Sequence, residues 1–286
     1  MTNDYGNLEL HTVLLSAMKD IDRICRENGL RYYLYAGTLL GAMNHKGFIP
    51  WDDDVDLVMY PDDFEKLARI IERDFSDRYE ISTFDTNADW FSKMNKLYVK
   101  GTKVVSHHSD DTHPIFIDIS KLHHVPDQAW RRTLQRKQIE LINLVLGVQS
   151  GAIVPTSLPS KLTLGNLARI RKSFWGKLLD KVMGRYDNTA TEYVGIMCNT
   201  LTRNPYTGKT GYDTDLTKTA WHENPQDVIF ERQKFMTYSN IADYLTYQYG
   251  PHWTEPYPEE KRRSKHDVKS YTIDAAVLQR IMGENT

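Results

Sequence analysis

The 286-residue chain has only two cysteines, Cys25 and Cys198. Two thiols cannot complete a four-ligand zinc site by themselves and supply no disulfide framework, so a reducing, cytoplasmic setting is expected. No apolar run approaches the ~18 residues that read as a membrane span. The opening residues, Met1 to Leu10, lack the basic start and apolar stretch of a secretory leader, which points the same way. There is no internal repeat and no low-complexity segment, and 40 % hydrophobic with 26 % charged residues excludes a fibrous or disordered chain.

Net charge is also small, −2 at pH 7, but unevenly spread. Residues 1–128 carry 14 Lys/Arg against 22 Asp/Glu, residues 129–185 carry 11 against 2, and the last 101 residues carry 11 against 14. The acidic front suits a cation, and the basic middle suits an anionic partner. Nucleic acid is not expected, because the front is acidic and the basic part lacks the arrangement of a nucleic-acid reader.

Apolar spacing predicts an amphipathic helix over 8–27, closed by Asn28-Gly29. An aromatic strand follows at Arg31–Tyr35, then a Gly37-Thr38 turn, a short helix from Leu39 to Asn44, a strand at Val55–Tyr60 and a helix over 62–74. Strands are expected at 78–84, 92–100, 103–107 and 114–119. Beyond Pro126 the pattern turns helical, over 129–148, 165–184 and 186–200. Turns and short strands occupy 201–236, and a last helix covers 237–249. The expected fold is α/β (α+β): a mixed sheet flanked by helices (1–128), a basic helical insertion (129–200) and a segment returning to the front (201–286).

The most informative segment is Trp51-Asp52-Asp53-Asp54-Val55-Asp56. Four carboxylates within five residues repel one another, and a fold that keeps them together calls for a compensating cation. Strand alternation puts Asp54 and Asp56 on one face and Val55 in the core. Paired carboxylates suit Mg²⁺ or Mn²⁺, which take oxygen ligands and accept phosphates in the remaining positions. A solvated acidic turn is the plainer reading. Upstream, Gly37-Thr38 offers backbone N–H groups, a helix N-terminus and a hydroxyl to a phosphate. Asp118, a lone acid within the apolar run Phe116-Ile117-Asp118-Ile119, fits a third carboxylate on a neighbouring strand.

Together these features resemble the nucleotidyltransferase superfamily. The stretch YAGTLLGAMNHKGFIPWDDDVDLVM (35–59) resembles, more narrowly, the signature of the LicD family of phosphotransferases, to which fukutin-related proteins are similar. FIDISKLHHVP (116–126) and ADYLTYQYGPHWTEPYPEEKRRSKH (242–266) agree, while 129–200 is unmatched. Ser120-Lys121-Leu122 stands where family members often have Phe-Pro-Leu, and Met236-Thr237-Tyr238 replaces the usual proline before the last helix.

The resemblance implies a nucleotidyltransferase-like fold and a CDP-activated donor such as CDP-choline, CDP-ribitol or CDP-glycerol. A hydroxyl of a cell-surface glycan (teichoic acid, capsular polysaccharide or lipopolysaccharide) attacks the phosphorus distal to the nucleoside, and CMP leaves. Asp54 and Asp56 then bind metal, Asp118 binds metal or accepts the proton, and Asp52 and Asp53 orient the ligands. Gly37, Thr38, Lys46, Lys93, Arg262, Arg263 and His266 are candidates for nucleotide or phosphate, with Lys96 beside Lys93. Trp51, Trp90, Tyr249 and Trp253 are candidates for a headgroup cage, since a quaternary ammonium favours aromatic faces. Aromatics and cations in 129–185 also allow peripheral contact with an anionic membrane. Two other readings stand beside this one: a nucleotidyltransferase that releases pyrophosphate, and a non-catalytic glycan- or lipid-binding module.

Overall fold

In the computed structural model, which describes residues 5–83, 95–106, 112–197, 200–262 and 268–284, the first apolar period forms helix α1 (Leu8–Glu27). Its buried residues Leu10, Val13, Leu14, Met18, Ile21 and Cys25 recur every three or four positions, so one face meets the core. Gly29, at φ +64°, takes the left-handed conformation that turns the chain out of α1 and into strand β1 (Tyr32–Leu34).

Helix α2 (Ala36–Asn44), strand β2 (Asp56–Met59) and helix α3 (Pro61–Asp74) follow. Pro61 opens α3 where no N–H is needed, and Phe64, Leu67 and Ile71 form its buried face. Strands β3 (Tyr79–Ser82), β4 (Asn95–Val99), β5 (Thr102–Ser106), β6 (Thr112–His113), β7 (Phe116–Lys121) and β8 (His123–Val125) come next. A five-stranded sheet in the order β1-β2-β7-β4-β3 forms the centre, with β2 and β7 parallel and the other pairs antiparallel.

The basic middle is helical: α4 (Ala129–Gln149), α5 (Leu158–Leu167) and α6 (Lys172–Met183). Strand β9 (Tyr193–Gly195), helix α7 (Gly211–Thr214), strand β10 (Leu216–Lys218) and helix α8 (Ala220–Glu223) lead to the hairpin β11 (Gln226–Phe230) and β12 (Gln233–Thr237). Helix α9 (Ile241–Tyr249), strand β13 (Val268–Ile273) and helix α10 (Ala275–Glu284) complete the order. This is the mixed α/β fold with a basic helical insertion that the sequence predicts.

Two apolar clusters form. The larger joins α1 and the central sheet to residues from the C-terminal third, including Phe230, Phe235, Tyr238 and Tyr244. The smaller lies among α4, α6, β8, β9 and Tyr212. The tyrosines of β1 and Tyr35 just after it explain the return of the chain. The Tyr32 hydroxyl accepts the Met236 N–H at 3.1 Å, that of Tyr33 donates to the His222 carbonyl at 2.7 Å, and that of Tyr35 donates to Asp215 at 2.6 Å.

Several local expectations are corrected. Gly37 and Thr38 are not a turn before a helix but sit in the first turn of α2. Residues 165–184 are not one helix: the chain breaks between α5 and α6, and Gln149 satisfies the freed Ala168 and Ile170 carbonyls at 2.9 and 2.6 Å. The helix expected at 186–200 is replaced by β9. There Asp187 accepts from the His124 N–H and pairs with His123, and the chain runs on extended between β8 and β10. The helix expected from 237 starts at Ile241, because Thr237 belongs to β12.

Candidate active site

The acidic loop is fixed from three sides. The Asn7 side chain donates to the Pro50 and Asp52 carbonyls, both at 3.0 Å. His11 donates through Nε2 to the Asp52 carbonyl at 2.7 Å and stacks flat on Phe48, with ring centroids 4.0 Å apart. Burial holds the His11 pKa below the usual imidazole value. At the tip of the β11–β12 hairpin, Glu231 accepts the Phe48 N–H at 3.2 Å and donates its own N–H to the Lys46 carbonyl at 2.8 Å.

This loop delivers its carboxylates to the start of β2, beside α2. The Thr38 hydroxyl accepts the Asp56 N–H at 2.9 Å, which ties the first turn of α2 to the start of β2. Asp52 lies against Gly37, where an added Cβ would sit 2.9 Å from its Oδ2 and would push that carboxylate aside. Ala36 precedes it at φ +43°, with its N–H donated to the Tyr244 hydroxyl at 3.1 Å. Tyr35, the N-cap residue of α2, makes no side-chain capping bond, and the Tyr244 hydroxyl takes the first N–H instead.

Parallel pairing places Asp56 opposite Asp118, and the Asp118 N–H donates to the Val55 carbonyl at 2.9 Å. Carboxylate oxygens of Asp54, Asp56 and Asp118 lie within 4.8 Å of one another. An all-oxygen set of converging carboxylates fits a hard divalent cation such as Mg²⁺ or Mn²⁺. Asp52, Asp53 and Asp54 form a second group of the same kind. Asp118 is buried, and Lys96 of β4 stands 2.6 Å from its Oδ1. Burial pulls the Lys96 pKa down, against the raising effect of Asp118, Asp54 and Asp56.

Beside Gly37 opens a cleft of about 700 Å³ lined by Trp51, Tyr206, Tyr249, Trp253, Tyr257 and Arg262 among others. Trp51 stacks on Tyr257 at 6.0 Å, and the Arg262 guanidinium lies 5.3 Å from the centre of the Trp51 ring. Arg262 also donates through Nε to the Tyr257 carbonyl at 2.9 Å. Burial, with Asp56 and Tyr206 nearby, pushes the Tyr249 phenol well above its usual pKa.

The fold thus brings Gly37, Thr38, Asp52, Asp53, Asp54, Asp56 and Asp118 together, with Trp51, Tyr249, Trp253 and Arg262 around the adjoining cleft. Lys46 is exposed and does not line that cleft. Lys93, Trp90, Arg263 and His266 lie outside the described residues. Sequence reasoning missed Tyr206 and Tyr257 as cleft residues. Tyr257 stands inside the quoted C-terminal segment, where the aromatic run was the available signal.

A mixed sheet with carboxylates converging from adjacent strands beside the first turn of a helix is the arrangement that the resemblance to the nucleotidyltransferase superfamily implies. Residues 29–141 match the family described as LicD/FKTN/FKRP, nucleotidyltransferase domain. The lipopolysaccharide cholinephosphotransferase LicD of Haemophilus influenzae is 24 % identical over 268 residues, 93 % of this chain and 97 % of its own. The ribitol 5-phosphate transferase FKRP of Homo sapiens is 57 % identical over 35 residues, 12 % of this chain and 7 % of its own length. An uncharacterised protein of Rickettsia prowazekii is 40 % identical over 58 residues, 20 % of this chain and 22 % of its own.

Proposed function

We propose that this protein transfers a phospho-alcohol, choline phosphate or a similar group such as ribitol or glycerol phosphate, from a CDP-activated donor to a hydroxyl of a cell-surface glycan. The observation that carries the reading is the convergence of Asp54, Asp56 and Asp118 within 4.8 Å next to an aromatic cleft. The relatives named for cholinephosphate and ribitol 5-phosphate transfer support the donor class.

Asp54, Asp56 and Asp118 would hold Mg²⁺ or Mn²⁺, which when bound supplies Lewis-acid stabilisation of the transferring phosphoryl group. The first turn of α2 at Gly37 and Thr38 would receive phosphate oxygens through backbone N–H groups. Arg262, which also lines the cleft, would offer its remaining guanidinium N–H groups to the diphosphate. The acceptor oxygen bonds to the phosphorus distal to the nucleoside, the bond from that phosphorus to the bridging oxygen breaks, and CMP departs. The hydroxyl proton passes to a carboxylate of the cluster. Trp51, Tyr249 and Trp253 face the headgroup, and their rings suit a quaternary ammonium.

The test incubates the protein with CDP-choline, CDP-ribitol or CDP-glycerol, Mg²⁺ or Mn²⁺ and a glycan acceptor. CMP release with acceptor modification is expected. Pyrophosphate release from a nucleoside triphosphate, or donor binding without any turnover, would sink the reading.

Peripheral docking on an anionic membrane belongs to the same proposal. No helix among the described residues is long and apolar enough to cross a membrane. Trp130, Leu134 and Leu141 form one outward stripe on α4, and Leu158, Leu162 and Phe174 are also exposed, by 45–70 %. They stand among cations of a segment with 11 Lys/Arg against 2 Asp/Glu. Flotation with anionic liposomes but not neutral ones is expected, and equal behaviour with both removes the idea.

A further inference from the structure

Asp56, Asp118 and Lys96 stand in one row across three strands. Register pairs Asp56 with Asp118 across β2–β7, and Asp118 with Lys96 across β7–β4. Directly paired residues share a face, with Cβ atoms ~4.5–5.5 Å apart across an antiparallel pair, so backbone register and not side-chain reach puts the ammonium beside the carboxylates. Phe116, two residues before Asp118 on β7, shares that face, and its ring centre lies 3.2 Å from Lys96 Nζ. The Lys96 side chain is 13 % exposed, and Nζ stands 2.6 Å from Asp118 Oδ1. The cation is therefore held by an anion and by an aromatic face.

We infer that Lys96 is a positioning residue and resident cation of the metal centre, occupying the place of a second divalent ion, so that the centre takes one Mg²⁺ or Mn²⁺ per chain. The inference rests on the metal reading of Asp54, Asp56 and Asp118. In two-ion centres the metals lie ~3.5–4 Å apart and share carboxylates. Here one oxygen of the third carboxylate is already engaged by an ammonium. With the Lys96 ammonium on Asp118 Oδ1, a second ion sharing that carboxylate would have to displace the ammonium or stand against its positive charge. Lys96 also keeps Asp118 from repelling Asp56 while the centre awaits its ion.

Manganese titration of the full chain, with bound ions counted by electron paramagnetic resonance and calorimetry, tests this without any turnover. One ion is expected in the wild type and in Lys96→Arg, and two in Lys96→Met. Saturating Mn²⁺ should also raise the melting temperature of Lys96→Met by more than that of the wild type. Two ions in the wild type, or one ion in Lys96→Met, overturns the inference. No ion in the wild type refutes the metal reading instead. If Lys96→Met does not fold, Lys96→Gln takes its place, and the wild-type count decides by itself whether the second position is open.

Discussion

The Thr38 hydroxyl accepts the backbone N–H of Asp56 at 2.9 Å, so one side chain joins the start of α2 to the strand that carries the acids. Thr38 itself is 5 % exposed. Thr38→Val leaves a buried N–H unpaired at a cost of about 1–3 kcal/mol, while Thr38→Ser keeps the acceptor. Denaturant melts of the two variants measure the difference. A valine variant as stable as the wild type would show that this bond does not hold the two elements in place.

The three carboxylates differ in what their removal does to the fold. Asp54→Ala and Asp56→Ala should abolish turnover with little loss of stability, because each relieves repulsion among neighbouring anions. Asp118→Ala should abolish turnover and also cost about 3–5 kcal/mol, since it strands the buried Lys96 ammonium. Thermal melts beside activity assays separate the two classes.

Chelation should erase turnover and leave the fold intact, because Leu57, Ile117 and Ile119, which alternate with the carboxylates along their strands, turn to the opposite face and build the core. Added Mg²⁺ or Mn²⁺ should restore the rate. A protein that works equally well in excess chelator would contradict the assignment of the three aspartates.

Trp51→Ala should weaken a cationic headgroup by about 0.5–2 kcal/mol, through loss of the ring face. CDP-glycerol, which carries no cation, should be affected less than CDP-choline. Calorimetry with both donors reads the contrast, and equal losses would remove Trp51 from headgroup recognition.

Acid stability should report His222. Buried among Tyr33, Tyr60 and Tyr238, it has its pKa lowered by desolvation from 6.5 to about 4. Above pH 6.5 both folded and unfolded chains hold it neutral. Between about 6.5 and 4 only the unfolded chain binds the proton, so stability falls as pH falls, by about 3 kcal/mol in full. Desolvation raises the Asp215 pKa to about 6, which acts oppositely and adds stability as pH falls from 6 toward 3.8. Comparing melts of His222→Asn and wild type across pH 4–7 isolates the histidine: the variant should lose less stability on acidification.

Periodicity made α1, α3 and α4 legible, since each repeats its buried positions within one element. The acidic loop was legible because its carboxylates are neighbours in sequence, and Asp118 because it interrupts an apolar strand. Lys96 acquires its partner only through the order β7-β4, which no local pattern carries. Tyr32 and Tyr33 of β1, and Tyr35 just after it, likewise read as strand formers, although their hydroxyls bond groups some 180–200 positions away. β9 was missed because Asp187 and the flanking strands, not local propensity, hold that chain extended.

Ala36 makes the hinge between β1 and α2 with a side chain in the left-handed region, which costs a non-glycine residue about 1 kcal/mol or more. Glycine would adopt that conformation freely, but it would also loosen the unfolded and folded chain on either side. The alanine, fastened by Tyr244, instead makes the angle between strand and helix stiff, so a donor phosphate would meet a cradle whose aim is set before it arrives.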